Sequence, residues 1–174
     1  MKTFKELMEA FDKPLEYDVD LWPARDTMMY YFKLSDKDYY RVLIGPPNGH
    51  KFTRKEHEVI FTHFENEEDI YKPANLGKVT ALYKMKVSDA LKVFATIIAI
   101  IKEHIQDRSD LTSITFSAEN YEESRVKLYH KLAVMAAKVS KWYPFVTYDD
   151  YNYTKFILAK KPINSKVHNL TKLY

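Results

Sequence analysis

Residues 3 to 11 place Phe4, Leu7, Met8 and Phe11 at i, i+3, i+4 and i+7, the spacing of one face of a short amphipathic helix that Pro14 ends. From Leu15 the period falls to two. Tyr17, Val19 and Leu21 alternate with acids, and residues 27 to 34 and 39 to 44 are β-rich runs on either side of Ser35-Asp36-Lys37-Asp38. Alternation around a short polar turn predicts a hairpin. Gly45-Pro46-Pro47-Asn48-Gly49 interrupts the chain, residues 57 to 64 alternate again, and residues 79 to 85 form another run after a loop with Pro73 and Gly77. The first half therefore reads as an antiparallel meander led by a helix.

The second half changes period. Val87, Ala90, Leu91, Phe94, Ile97, Ile98, Ile101 and Ile105 recur at helical spacing behind Ser88, which is expected as the N-cap of a largely buried helix. Residues 111 to 118 form a short β-branched and aromatic strand, and Asn120 with Glu123 has the spacing of a capping box. Leu128, Tyr129, Leu132, Ala136, Val139 and Tyr143 then mark one face of a second helix, with Lys138 and Lys141 near its C-terminus and Pro144 as its stop. Residues 145 to 151 and 155 to 159 make a final aromatic hairpin through Asn152-Tyr153. A strand-helix-strand unit requires a parallel pair joined by a right-handed crossover, so the expected fold is α+β with a mixed, mostly antiparallel sheet. It is expected as a single domain over residues 1 to 159, with residues 1 to 12 as its N-terminal helix. Residues 160 to 174, which hold Lys160, Lys161, Lys166, His168 and Lys172 and no acid, are expected as a basic mobile tail.

Composition narrows the chemistry. The chain of 174 residues is 46% hydrophobic and 15% aromatic, enough for one packed core and far from the composition of a disordered segment. It has three glycines, none in dinucleotide-binding or P-loop spacing, and no cysteine, which removes thiol nucleophiles, thiolate metal sites and disulfides. The net charge of +3 lacks the basic excess of a dedicated nucleic-acid binder, so nucleic acid is not the default partner. The longest apolar run, residues 97 to 101, falls far short of the roughly 20 residues of a membrane span, and no membrane helix is expected. Five of the 27 cations are Arg, and the resulting excess of Lys, with many Tyr, Ile and Asn, points to an AT-rich coding genome.

Few side chains form a reactive pattern. His57 and His63 would lie on one face of a strand but about 20 Å apart at ~3.3 Å per residue, too far to share a metal. The Gly45 to Lys51 loop carries two prolines, which lack the N–H donors of a phosphate nest. Ser117 has no flanking glycines of a nucleophile elbow. Arg125 stands one turn before Tyr129, where a guanidinium and a phenol can meet on one helix face. Tyr129 has two readings: a core residue whose hydroxyl reaches the surface, or a proton donor.

Leu128-Tyr129-His130-Lys131 resembles the Leu-Tyr-x-Lys of the GNAT acyltransferase superfamily, in which the tyrosine commonly acts as general acid for the departing CoA thiolate. The strand-helix-strand-helix-hairpin order of residues 79 to 159 is similar to the C-terminal half of that fold. The whole chain also resembles a family of small tailed-bacteriophage proteins. The shared features are Leu7-Met8-Glu9-Ala10, Val93-Phe94-Ala95-Thr96-Ile97-Ile98, and Ile114-Thr115-Phe116-Ser117-Ala118 followed by Ser124-Arg125-Val126-Lys127-Leu128-Tyr129. The resemblance implies a GNAT-like C-terminal half, Tyr129 and Arg125 as catalytic candidates, and Ser88 and Ala90 as the cofactor-binding candidates. Their turn, Met85-Lys86-Val87-Ser88-Asp89-Ala90, has no glycine and places Asp89 where a pyrophosphate would sit. The expectation is thus a phage protein acting by binding a virion or host protein, in the host cytoplasm or the virion, with no cofactor. The alternative is an N-acyltransferase that uses acetyl-CoA through a non-standard loop.

Overall fold

Short-period and helical-period segments alternate along the chain as the pattern requires, and they build a mixed α+β fold. The computed structural model describes residues 13–22, 26–47, 55–72, 86–119, 123–148, 152–163 and 171–173. The elements are β1 (Asp18–Trp22), β2 (Thr27–Ser35), β3 (Asp38–Gly45), β4 (Glu56–Phe64), a 3-10 helix (Glu67–Tyr71), α1 (Val87–Asp107), β5 (Ser113–Glu119), α2 (Glu123–Ser140), β6 (Tyr143–Tyr148), β7 (Tyr153–Ala159) and β8 (Thr171–Lys172). The strands form one eight-stranded sheet in the order β1-β2-β3-β4-β5-β7-β6-β8. The expected leading helix, the run 79 to 85 and Asn120 lie outside the described residues.

The chain divides into two units, residues 1–43 with 60–100 and residues 44–59 with 101–174. In the first, β1 pairs antiparallel with β2, and the β2–β3 turn is tied by Ser35, whose hydroxyl donates to Asp38 and accepts from the Lys37 N–H. Period-two alternation gives these strands two packed faces. On one, Phe32, Tyr40 and Phe61 stack in sequence with ring centroids 5.1 and 5.5 Å apart. On the other, Met29, Phe64 and Ile70 form a buried cluster flanked by Tyr31, Tyr39 and Leu43. The first part of α1 is buried at Val93, Ala95, Thr96, Ile97, Ile98 and Ile100, which explains its near-continuous apolar sequence. Thr96 also anchors the entering chain, because its hydroxyl accepts the Leu15 N–H at 2.9 Å while donating to the Lys92 carbonyl.

In the second unit β5 is the central strand. It runs parallel to the start of β4 (Glu56↔Ser113, His57↔Ile114, Glu58↔Thr115) and antiparallel to β7 over its whole length. The parallel pair that the structure describes is β4 with β5; the run 79 to 85, expected as the strand before the helix, lies outside the described residues. Strands β6 and β7 form the aromatic hairpin, with Asn152 at φ 64°. The helix α2 packs over β5, β6 and β7 and buries Tyr129, Leu132, Ala133, Ala136 and Ala137.

Three boundaries differ from the sequence reading. The helix α1 starts two residues earlier, so Ser88 lies inside its first turn and Lys86 supplies the carbonyl that accepts the Asp89 and Ala90 N–H groups, each at 3.0 Å. The second helix ends at Ser140, before Pro144, which is already a β6 residue opposite Leu158. Its stop is Lys141 in the left-handed region (φ 60°), with the Trp142 N–H donating to the Ala137 carbonyl in a Schellman-type closure. Val139, read as part of the buried face, is 46% exposed because the stripe turns instead through Ala133 and Ala137. Within the basic tail, Thr171–Lys172 forms β8 on β6 and Leu173 is buried, so that stretch is held by the sheet.

Candidate functional site

Tyr129 is 6% exposed and sits in the core between α2 and the sheet. Its ring meets Phe116 and Phe156 edge-on, at centroid distances of 5.5 and 6.3 Å. Arg125 stands one turn earlier in the same helix; its side chain lies outside the described residues. Ser88 is exposed and Ala90 half-buried in the first turn of α1, with Asp89 between them. The Asp89 and Ala90 amides already donate to Lys86, which leaves that turn with fewer free donors for an anion. Ser88 and Ala90 belong to the first unit and Tyr129 to the second.

A different set of groups gathers on the other face of β5. Adjacent strand residues point to opposite faces, so Ser117 projects away from the side on which Phe116 holds Tyr129. The β4–β5 register puts Glu58 on the Ser117 face, and Lys155 lies directly opposite Ser117 on β7. The Glu58 carboxyl is half-buried and held above the usual carboxylate range. Burial is the main cause, opposed by the charge of Lys155 and by the hydrogen bond from the Ser117 hydroxyl. A carboxyl with such a pKa, beside a hydroxyl and an ammonium, is equipped to accept or deliver a proton. Tyr129 and Glu58 thus occupy opposite faces of the sheet and cannot act on one substrate together.

The histidines pair in a way that the sequence spacing concealed. His57 joins not His63 but His104 of α1, Nδ1 to Nε2 at 2.9 Å, with both rings buried. His104 is held down at about 3, first by burial and then by the nearby charges of His57 and Arg108. The available signal was the stripe Ile97, Ile101, His104, which places His104 on the inward face of its helix. In the first unit His63 Nε2 lies 3.1 Å from the Asp38 carboxylate, and its ring is 5.0 Å from that of Tyr40. The Tyr40 hydroxyl is pushed well above the ordinary tyrosine range by burial, then by Asp38 and Asp89.

No group of three or more His, Asp or Glu able to hold a metal ion occurs among the described residues. Among the same residues, no helix is long and apolar enough to cross a membrane. No family model, curated protein or solved structure matches the chain.

Proposed function

We propose that this chain is a GNAT-like domain that acts by binding a protein partner, a phage virion protein or a host protein, without acyl-CoA chemistry. The scaffold part of this reading is supported by the parallel β4–β5 pair, the helix that follows β5 and the β6–β7 hairpin. The observation that carries the binding reading is Tyr129. The one residue that the acyltransferase resemblance transfers cleanly is packed edge-on against Phe116 and Phe156 and is almost wholly buried. A proton donor for a departing thiolate must be reachable by it. Titration calorimetry and thermal melts with acetyl-CoA test the reading: no heat and no shift in Tm are expected. Stabilisation by several degrees at millimolar ligand, which specific binding produces by mass action, overturns it.

Glu58 supports a second reading, the N-acyltransferase. Its raised pKa suits a base that takes the proton from an acceptor amine. Under that reading Glu58→Gln abolishes acyl transfer while Tyr129→Phe spares it, the reverse of what the GNAT-type tyrosine role requires.

A further inference from the structure

Strand β1 ends the strand order, and among the described residues β2 is its strand neighbour. The Leu21 N–H donates to the carboxylate of Asp20 at 2.7 Å, so it is turned away from the β2 ladder. In an antiparallel pair, residues two apart on one strand present their backbone groups in the same direction. Val19 and Leu21 therefore carry the outward N–H and C=O groups. Their side chains are 49% and 64% exposed.

The two faces of this edge differ in chemistry. Val19 and Leu21 make one face apolar, while Asp18 and Asp20 make the other acidic. Asp18 lies opposite Tyr31, whose ring is 5.5 Å from that of Tyr71, and Tyr71 is 47% exposed. The Tyr71 hydroxyl is pushed up to about 12 by its hydrogen bond with Tyr31, then by burial, and the charge of Asp18 adds to the effect. Exposed edges are normally blunted by Lys, Pro or a bulge. Among the described residues, the Leu21 N–H is covered by the Asp20 carboxylate, which a cation can draw away.

We infer that β1 is a docking edge for an extended segment of a partner protein in which Lys or Arg alternates with apolar residues. The segment adds one strand to the sheet, its cations facing Asp18, Asp20 and the Tyr71 ring, its apolar side chains covering Val19 and Leu21. A second copy of β1 is a poor occupant, because pairing would set aspartates against aspartates. This inference rests on the binding reading and specifies its site.

The probe is a capped heptapeptide, Lys-Val-Lys-Val-Lys-Val-Lys, titrated into the 15N-labelled full chain, with a Glu-for-Lys peptide as control. The expected result is amide shifts centred on Val19 and Leu21, with affinity falling about tenfold between low and high salt as exposed charge pairs are screened. Val19→Pro removes an outward N–H and should abolish the response while leaving the β1–β2 ladder intact. If that variant fails to fold, Val19→Lys opposes the peptide by charge with the backbone unchanged. No shift at β1 with millimolar peptide, or an equal response to the Glu peptide, overturns the inference. So does a self-associated form, seen by sedimentation, that Val19→Lys dissolves. Failure at β1 leaves other surfaces for a partner, whereas acetyl-CoA binding overturns the binding reading itself, so the two failures are distinguishable.

Discussion

His57 and His104, 47 positions apart in the chain, share one hydrogen bond in the core, Nδ1 to Nε2 at 2.9 Å. One ring donates and the other accepts, so this bond is made while both rings are neutral. Protonating the accepting nitrogen sets two donors against each other, and a charge on either ring is buried away from water. The folded-state pKa of His104, about 3, lies below its ordinary value of 6.5. The neutral pair therefore stabilises fully above pH 6.5, and that stability is lost as pH falls from 6.5 toward 3. The limiting slope is about 1.4 kcal/mol per pH unit for one proton. Melting temperatures measured from pH 7.5 to 4 should fall along this course. In the double variant His57→Leu with His104→Leu the fall should be shallower. An unchanged profile in that variant would show that the pair is not the acid-sensitive element.

Arg41 is buried, and its Nη1 donates to the carbonyl of Ile70 at 2.6 Å and of Lys72 at 3.3 Å, with the guanidinium 4.7 Å from the Phe64 ring centroid. These bonds fasten the 3-10 helix to the sheet. Burial lowers the Arg41 pKa, yet a guanidinium stays charged near neutrality. Arg41→Ala should cost about 2 to 4 kcal/mol, because charged hydrogen bonds and ring contact are lost together. Arg41→Lys should recover only part of this, since an ammonium lacks the planar fork. Denaturant unfolding compares the three proteins, and equal midpoints would refute the fastening role.

Local pattern made the β2–β3 hairpin and α1 legible. Alternating side chains on either side of Ser35-Asp36-Lys37-Asp38 leave little choice of register, and the apolar sequence of α1 matches its burial. What depends on long-range register was not legible. Glu58 and Ser117 face each other only because β4 and β5 pair at Glu58↔Thr115. His57 meets His104 for the same kind of reason, through the packing of α1 on the sheet. Tyr129 was readable as amphipathic, but its partners Phe116 and Phe156 come from β5 and β7.

The end of α2 was missed on chemical grounds. A left-handed C′ residue is usually Gly, and here it is Lys141 at φ 60°, which leaves no mark in the sequence. Lys141→Gly should stabilise the protein by about 0.5 to 1 kcal/mol, as the steric cost of a Cβ in that region is removed and partly offset by the entropy of the unfolded chain. Lys141→Val should destabilise it, because a β-branched side chain tolerates positive φ poorly. Equal melting temperatures for all three would exclude strain at this position.

Glu58 gives the sharpest separation between structure and chemistry. Its folded-state pKa is raised above 4.5, so the protonated form is the one that the fold prefers. The stability that it contributes is present at low pH and is lost as pH rises from 4.5 through the folded value. At pH 7 the ionised carboxylate is therefore held at a cost, which Ser117 and Lys155 only partly offset. Glu58→Gln keeps the shape and the Ser117 contact but carries no charge, so it should raise Tm at pH 7 and leave it unchanged near pH 4. Solvent exposure screens the effect, and its sign rather than its size is the test. A fall in Tm at pH 7 would mean that the attraction of the Lys155 charge outweighs burial, and Lys155→Met would then lower Tm in parallel. A rise would mark Glu58 as a carboxylate that folding alone does not favour, the condition in which a functional role best explains its presence.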